Sequence, residues 1–278
     1  MSTYRPGNNI FHYCKLSTAL EFILPGQQLR LGPIVNTNDP RENKSHVLNF
    51  AHTTWGDLAG EHHWTNAEIS EILKEDCKVL CFSQNHKADN DASPVHRFFG
   101  YELSRMWAYY GGNHHGLCLE LDKEAFLKEN EKIIDSNLFR DLKYEEFDFT
   151  WHKNIDFDQR MANSIGVKKY LKEVIRPDHL DHLFFTKNKE WESEHELRLI
   201  HFSDTKDDEF CSIKSSLRNV FCGVDFNLSY LPSLIHLCPD VNVSILKYKS
   251  GRLSAITIFA GKENFVNPEY KRFIQSSQ

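Results

Sequence analysis

From Glu194 onward the chain is a succession of short β-forming runs: "ELRLIHF", "FCSIK", "NVFCGVDF" and "VNVSILKYKSGRLSAITIF". The last run alternates apolar and polar residues on both sides of Ser250-Gly251, the pattern of an antiparallel hairpin closed by a tight turn. A chain that ends this way must build at least part of its core on a sheet. The earlier residues supply further strands separated by helices. "NIFHYC" (9–14) reads as a strand, and "LSTALEFIL" (16–24) as a helix with Ser17 at its N-cap and Pro25-Gly26 as its stop. "QQLRL" (27–31) resumes extended chain, and the stretch from Gly32 to Glu42 reads as loop. Thr65 and Glu68 form a capping box ahead of a helix, followed by a buried strand, "KVLCFS" (78–83). "NHKADNDASP" (85–94) is polar loop, "FFGYELSRMWAYY" (98–110) reads as helical, and "GLCLELD" (116–122) alternates as a strand does.

Residues 123–186 read as a mostly helical insertion, with helices at 160–175 and 178–187. No regular βαβ rhythm is present, so the expectation is an α+β fold rather than a doubly wound sheet. Internal repeats and Gly/Ser linkers are absent from the sequence, which predicts one domain spanning residues 1–278.

Composition narrows the partners. A formal net charge of −6 and a pI near 6.2 leave no global basic field for nucleic acid, so such a partner would need a local patch. "VKKYLKEVIR" (167–176) is the candidate, and the solvated face of a helix is the simpler account of it. The seven cysteines are odd in number and scattered through apolar runs, which fits buried reduced thiols better than a disulfide framework. Cys77 and Cys81 lack a matching second pair for zinc. With no signal-like N-terminus and no apolar run of spanning length, the expectation is a cytoplasmic protein without a membrane partner.

Phosphate-binding P-loops, the dinucleotide fingerprint, G-x-S-x-G and H-E-x-x-H are all missing. His62-His63 and His114-His115 are adjacent pairs, and neighbours on extended chain point to opposite faces, so neither is a good chelate. No metal is expected. The strongest remaining feature is "WESEHELRLI" (191–200). On extended chain, Glu192, Glu194, Glu196 and Arg198 share one face, leaving Leu197 and Leu199 to anchor the other in the core.

Five stretches occur in an order that resembles an uncharacterised bacterial domain-of-unknown-function family: "FHYCKLSTALEFILPGQQLRL", "NTNDPRE", "CFS", "MWAYYGGNHHGLCLELD" and "TKNKEWESEHELRLI". They extend from about residue 10 to about residue 200. Thr37, Tyr109 and Ser193 depart from the family pattern. The opening strand–helix–strand order, a middle Ser or Tyr and a late E-x-E further resemble ADP-ribosyltransferase folds. That resemblance implies a mixed or antiparallel split sheet with flanking helices. It implies NAD as substrate, Glu196 as the catalytic carboxylate and Glu194 as its assistant, with Glu192 left to solvent. It also implies an NAD pocket drawn from His12, Tyr13, Ser83, Trp107, Tyr110 and Lys187.

The chemistry is coherent without a metal. Cleavage of the nicotinamide–ribose bond develops positive charge on the ribose, so a carboxylate beneath it binds the transition state better than the substrate. A histidine on the first strand suits the adenosine ribose, and aromatic rings suit stacking. Each residue also has a structural reading. His12 fits a satisfied core histidine, Ser83 a strand-end cap, and Trp107 with Tyr110 plain core at helical spacing. The expected function is ADP-ribosyl transfer to a nucleic-acid or protein acceptor, in a toxin or phage-defence setting. The alternative is a noncatalytic nucleotide-sensing or protein-interaction module on the same fold, and a third reading is a metal-dependent nuclease sensitive to chelator. The catalytic reading expects Glu196→Gln to abolish NAD turnover with the thermal melt nearly unchanged.

Overall fold

A computed structural model describes residues 8–44, 49–52, 62–87, 97–146, 154–263 and 265–275. The fold is α+β, with a large mixed sheet and several helices. The C-terminal hairpin forms as its pattern requires. Asn242–Lys249 and Arg252–Ala260 pair antiparallel up to Lys249↔Arg252, with Ser250 (φ 52°) and Gly251 (φ 79°) both left-handed in the turn. Asn219–Cys222 and Asn242–Ile245 pair in parallel, and the helix Leu231–Leu237 lies in the connection between them.

The sheet forks at the strand Cys77–Gln84. One edge of this strand pairs along its length with Glu196–Phe202, from Cys77↔Phe202 to Ser83↔Glu196. Its other edge meets Asn9–Cys14 at one end (Phe11↔Ser83) and Gln28–Pro33 at the other (Gly32↔Val79). The helical segment 16–26 joins these two tines. Leu80, Phe82, Leu117, Leu119, Leu121, Leu197 and Leu199 pack into the main core on one face. By strand alternation, Cys81, Ser83, Glu196 and Arg198 belong to the opposite face.

Local departures from the expected elements have physical causes. The N-cap of the first helix is Lys15 rather than Ser17, and the helix stops at Gln27, which takes a left-handed φ of 47°. Pro25 lies within the last turn, directly after a π-helical turn at Ala19–Ile23. The same arrangement recurs at Leu171–Ile175 ahead of Pro177. Proline lacks an N–H and crowds the carbonyl four residues back, so a widened turn lets the helix pass through it. Residues 167–184 therefore form one continuous helix, and the break falls instead at Gly166 (φ 91°). The expected helix over 98–110 is confined to Ser104–Tyr109. The "helical" middle also contains the strands Phe139–Asp141, Lys143–Glu145 and Asn154–Phe157, and Thr186–Asn188 is a strand rather than a helix end. The Thr65–Glu68 capping box forms, with Thr65 N donating to Glu68 Oε2 at 2.8 Å. Most of the polar loop 85–94 lies outside the described residues.

Candidate functional site

The run 191–200 is not extended throughout. Lys189–Glu194 is a 3-10 helix whose start is capped by the Asn188 side chain, and His195 (φ 45°) turns the chain into the strand beginning at Glu196. The single face expected for Glu192, Glu194, Glu196 and Arg198 is therefore broken. Glu192 is exposed, whereas Glu194 is turned inward. Two glutamates still converge, because the turn brings both onto one cation. Lys187 Nζ donates to Glu196 Oε2 at 2.6 Å and to Glu194 Oε2 at 3.0 Å.

Lys187 comes from the short strand Thr186–Asn188, in register with Tyr144 on Lys143–Glu145. The Tyr144 hydroxyl accepts the backbone N–H of Glu196 at 3.0 Å, so this two-stranded ladder fixes both the cation and the start of the acidic strand. Arg198 Nε donates to Glu196 Oε1 at 2.7 Å, and its Nη1 reaches the Glu42 carboxylate and the Phe184 carbonyl. The Tyr110 hydroxyl, at the end of the helix Ser104–Tyr109, donates to Glu194 Oε1 at 3.0 Å. The Trp191 ring centroid lies 5.3 Å from Lys187 Nζ, and His195 stacks on His86 at 3.5 Å. Relative exposures are 5% for Lys187, 2% for Glu194, 4% for Glu196 and 0% for Arg198.

Burial and charge divide the two carboxylates. Burial alone would raise Glu196, but the Arg198 and Lys187 charges and hydrogen bonds outweigh it and hold the carboxyl at about 2. Glu194 moves the other way. Its burial dominates and the nearby Glu196 charge adds to it, while the Lys187 charge and the hydrogen bonds from Lys187 and Tyr110 offset only part. Lys187 and Arg198 stay cationic because Glu196 and Glu42 overcome their own burial. Burial, reinforced by Glu194, pushes the Tyr110 phenol up, so it remains a donor. A pair of carboxyls driven to opposite proton affinities is the usual footing for dividing charge stabilisation from proton transfer.

Of the residues expected from sequence, the structure brings Tyr110, Lys187, Glu194 and Glu196 together. Ser83 sits in cross-strand register with Glu196, and its buried hydroxyl has no hydrogen-bond partner among the described residues. His12, Tyr13 and Trp107 are placed differently. His12 is on the core face, where its Nδ1 lies 3.1 Å from the Cys81 carbonyl at the fork and its ring meets Phe82 edge-on. It thus fills the gap where two strands part. Tyr13 and Trp107 pack edge to face at 5.1 Å in a buried aromatic cluster, with their polar atoms bonded to the Gly100 and Tyr101 carbonyls. Both are core residues rather than stacking platforms, and Tyr110 alone of this group reaches the carboxylates. Glu42 and Tyr144 carry no local signal of a role here. "NTNDPRE" was the one available pointer to Glu42.

The two histidine pairs also take structural places. His62 meets Trp64 edge to face at 4.3 Å and lies 3.2 Å from Glu68, whereas His114 adopts a left-handed φ of 68° in a tight loop. Among the described residues, no group of three or more His, Cys, Asp or Glu is placed to hold a metal ion, and no helix is long and apolar enough to cross a membrane. The cysteines of the described residues are free, all buried except the half-buried Cys81. The basic stretch 167–176 is largely compensated, with Lys168 on Glu75, Lys172 on Asp204 and Arg176 on Asp76. Two surface hollows, of about 410 Å³ beside Lys128–Ile133 and about 80 Å³ beside Asp76, are not lined by the carboxylate cluster. The cluster is closed in this conformation.

A family model described as a protein of unknown function, DUF2971, matches residues 106–199. The match spans Tyr110, Lys187, Glu194, Glu196 and Arg198, and the chain is similar to that family over this stretch. No curated protein and no solved structure matches the chain.

Proposed function

We propose that the protein binds NAD and cleaves its nicotinamide–ribose bond as an ADP-ribosyltransferase, passing ADP-ribose to a nucleic-acid or protein acceptor. The observation that carries this reading is the sharing of Lys187 by Glu194 and Glu196, whose environments push their proton affinities apart. Three carboxylates (Glu42, Glu194 and Glu196) face two cations, Lys187 and Arg198, so the cluster favours a cationic group such as a nicotinamide ring or a developing oxocarbenium. In the step itself, the C1′–N bond breaks and its electron pair leaves with nicotinamide, while Glu196, ionised throughout, stabilises the ribosyl cation. The acceptor's lone pair then forms the new bond at C1′, and Glu194, with its raised proton affinity, takes the acceptor's proton. Ser83 offers a hydroxyl beside Glu196 that is free to bond the ligand.

A second reading, a noncatalytic nucleotide-sensing or interaction module, is favoured by one observation: the cluster's charges are paired and buried. Incubation with NAD separates the two readings. Nicotinamide release by the wild type, lost in Glu196→Gln while NAD still raises the melting temperature, supports the enzyme. A melt shift with no nicotinamide supports the module, and neither effect sinks both. The Glu196→Gln melt will not stay unchanged. Removing one partner from a buried ion pair costs about 3–5 kcal/mol, so turnover must be read well below the variant's own transition.

A further inference from the structure

The segment "NTNDPRE" makes and breaks no bond in the chemistry above, yet its last residue, Glu42, reaches the carboxylate cluster through Arg198. Asp39 is buried, and its carbonyl accepts the N–H groups of Glu42 and Asn43 at 3.0 and 3.1 Å, starting the helical turn Pro40–Asn43. Asn43 Nδ2 donates to the Thr37 carbonyl at 3.0 Å, closing the segment on itself. From this turn the Glu42 carboxylate takes Arg198 Nη1, and Arg198 Nε in turn holds Glu196 Oε1 at 2.7 Å. Glu42, carried by this short turn, thus reaches Glu196 through Arg198. Within the strand Glu196–Phe202 the guanidinium has only the Nε bond to Glu196, which leaves its far end to be held by other segments. With Glu42 removed, Arg198 Nη1 keeps only the Phe184 carbonyl at 3.0 Å.

We propose that Glu42 is a positioning residue for the carboxylate pair, acting by anchoring the Arg198 guanidinium against Glu196. The proposal rests on the reading that this pair performs the ribosyl chemistry. It also makes a claim that can be checked without turnover. If Glu42 were only a neighbouring negative charge, its loss would make Glu196 a weaker base. If it anchors Arg198, its loss frees the guanidinium, and Glu196 becomes a stronger base despite the missing charge.

The test compares full-length wild type with Glu42→Gln and Glu42→Asp. Nicotinamide release gives kcat and KM, and carboxyl carbon NMR follows the titration of Glu194 and Glu196. For Glu42→Gln the expected result is a kcat lower by roughly ten- to a hundredfold with KM within about twofold, consistent with a misplaced catalytic group. The Glu196 titration should move to higher pH, and Glu42→Asp should recover most of the loss. A Glu196 titration that stays fixed or moves down in Glu42→Gln overturns the anchoring role, as does unchanged kcat in a folded variant. If Glu42→Gln does not fold, Glu42→Asp decides: it keeps the charge and shortens the arm, so the Glu196 titration should move part of the way up, and an unmoved titration overturns the proposal. Wild type that releases no nicotinamide sinks the functional reading instead, and the titrations still judge the positioning.

Discussion

Lys187 Nζ lies 2.6 Å from Glu196 Oε2 on a side chain that also bonds Glu194, so one buried ammonium holds two carboxylates brought together by a turn of backbone. The energetics of the cluster follow from this sharing. Replacing Lys187 by Met keeps the volume and removes the charge, leaving Glu194 without a cation while Glu196 retains Arg198. Breaking a buried pair in this way costs about 3–5 kcal/mol. Urea unfolding should show that loss at pH 8 and a smaller one at pH 5, because Glu194 can then take a proton and be buried neutral. An equal loss at both pH values would contradict the shared-lysine account.

The two carboxyls act on stability in opposite pH windows. Glu196 is depressed to about 2 from an ordinary value of about 4.3, so the unfolded chain binds more protons between those limits. Its contribution is complete above the ordinary value and is lost as pH falls toward the folded one. Glu194 is raised, so the folded state holds its proton longer and stability declines as pH rises through its folded value. Unfolding free energies measured from pH 2 to 8 should therefore form a dome. The acid limb should flatten in Glu196→Gln, and an acid limb of undiminished slope in that variant would remove Glu196 as its source.

Tyr110→Phe probes the base. Its hydroxyl hydrogen bond favours the Glu194 carboxylate, and losing it raises the proton affinity further. If Glu194 accepts the acceptor's proton, the ascending limb of kcat against pH moves upward by about one unit, the size of a hydrogen bond to a charged group. The plateau at high pH should be reduced far less. A limb that stays in place would assign the base elsewhere.

Gly223 tests a loop contact rather than the chemistry. A Cβ there would lie 2.0 Å from the His114 carbonyl oxygen, which accepts the Asp225 N–H at 3.1 Å. Backbone must move to admit it, so Gly223→Ala should lower stability by about 1–3 kcal/mol. A melting temperature equal to wild type would show that the 110–116 loop yields easily.

Much of the secondary structure was legible because its causes are local. The Thr65–Glu68 box, the Ser250-Gly251 turn and the β-forming runs at 9–14 and 116–122 depend on neighbours within a few residues. The shorter helix at Ser104–Tyr109 and the unbroken helix through Pro177 were not legible, since packing and a π turn overrode local punctuation. In the candidate site, spacing put Glu192, Glu194, Glu196 and Arg198 on one face, which the turn at His195 breaks, and the family resemblance singled out Glu194 and Glu196 as candidates. His12, Tyr13 and Trp107 matched a pocket by residue type and order, yet their polar atoms are spent on backbone carbonyls within or beside the core.

By itself the sequence determined the α+β class and the terminal hairpin, both set by periodicity and turn chemistry over short range, while the candidacy of the late glutamates followed from the family resemblance. Only the tertiary structure decided which charges meet. Arg198 finds Glu42 across 156 residues of chain, and Lys187 finds both glutamates through the left-handed turn at His195. The reason is physical: a buried charge must be neutralised by whatever partner the fold brings within hydrogen-bond reach, and neither burial nor that reach is written in local spacing.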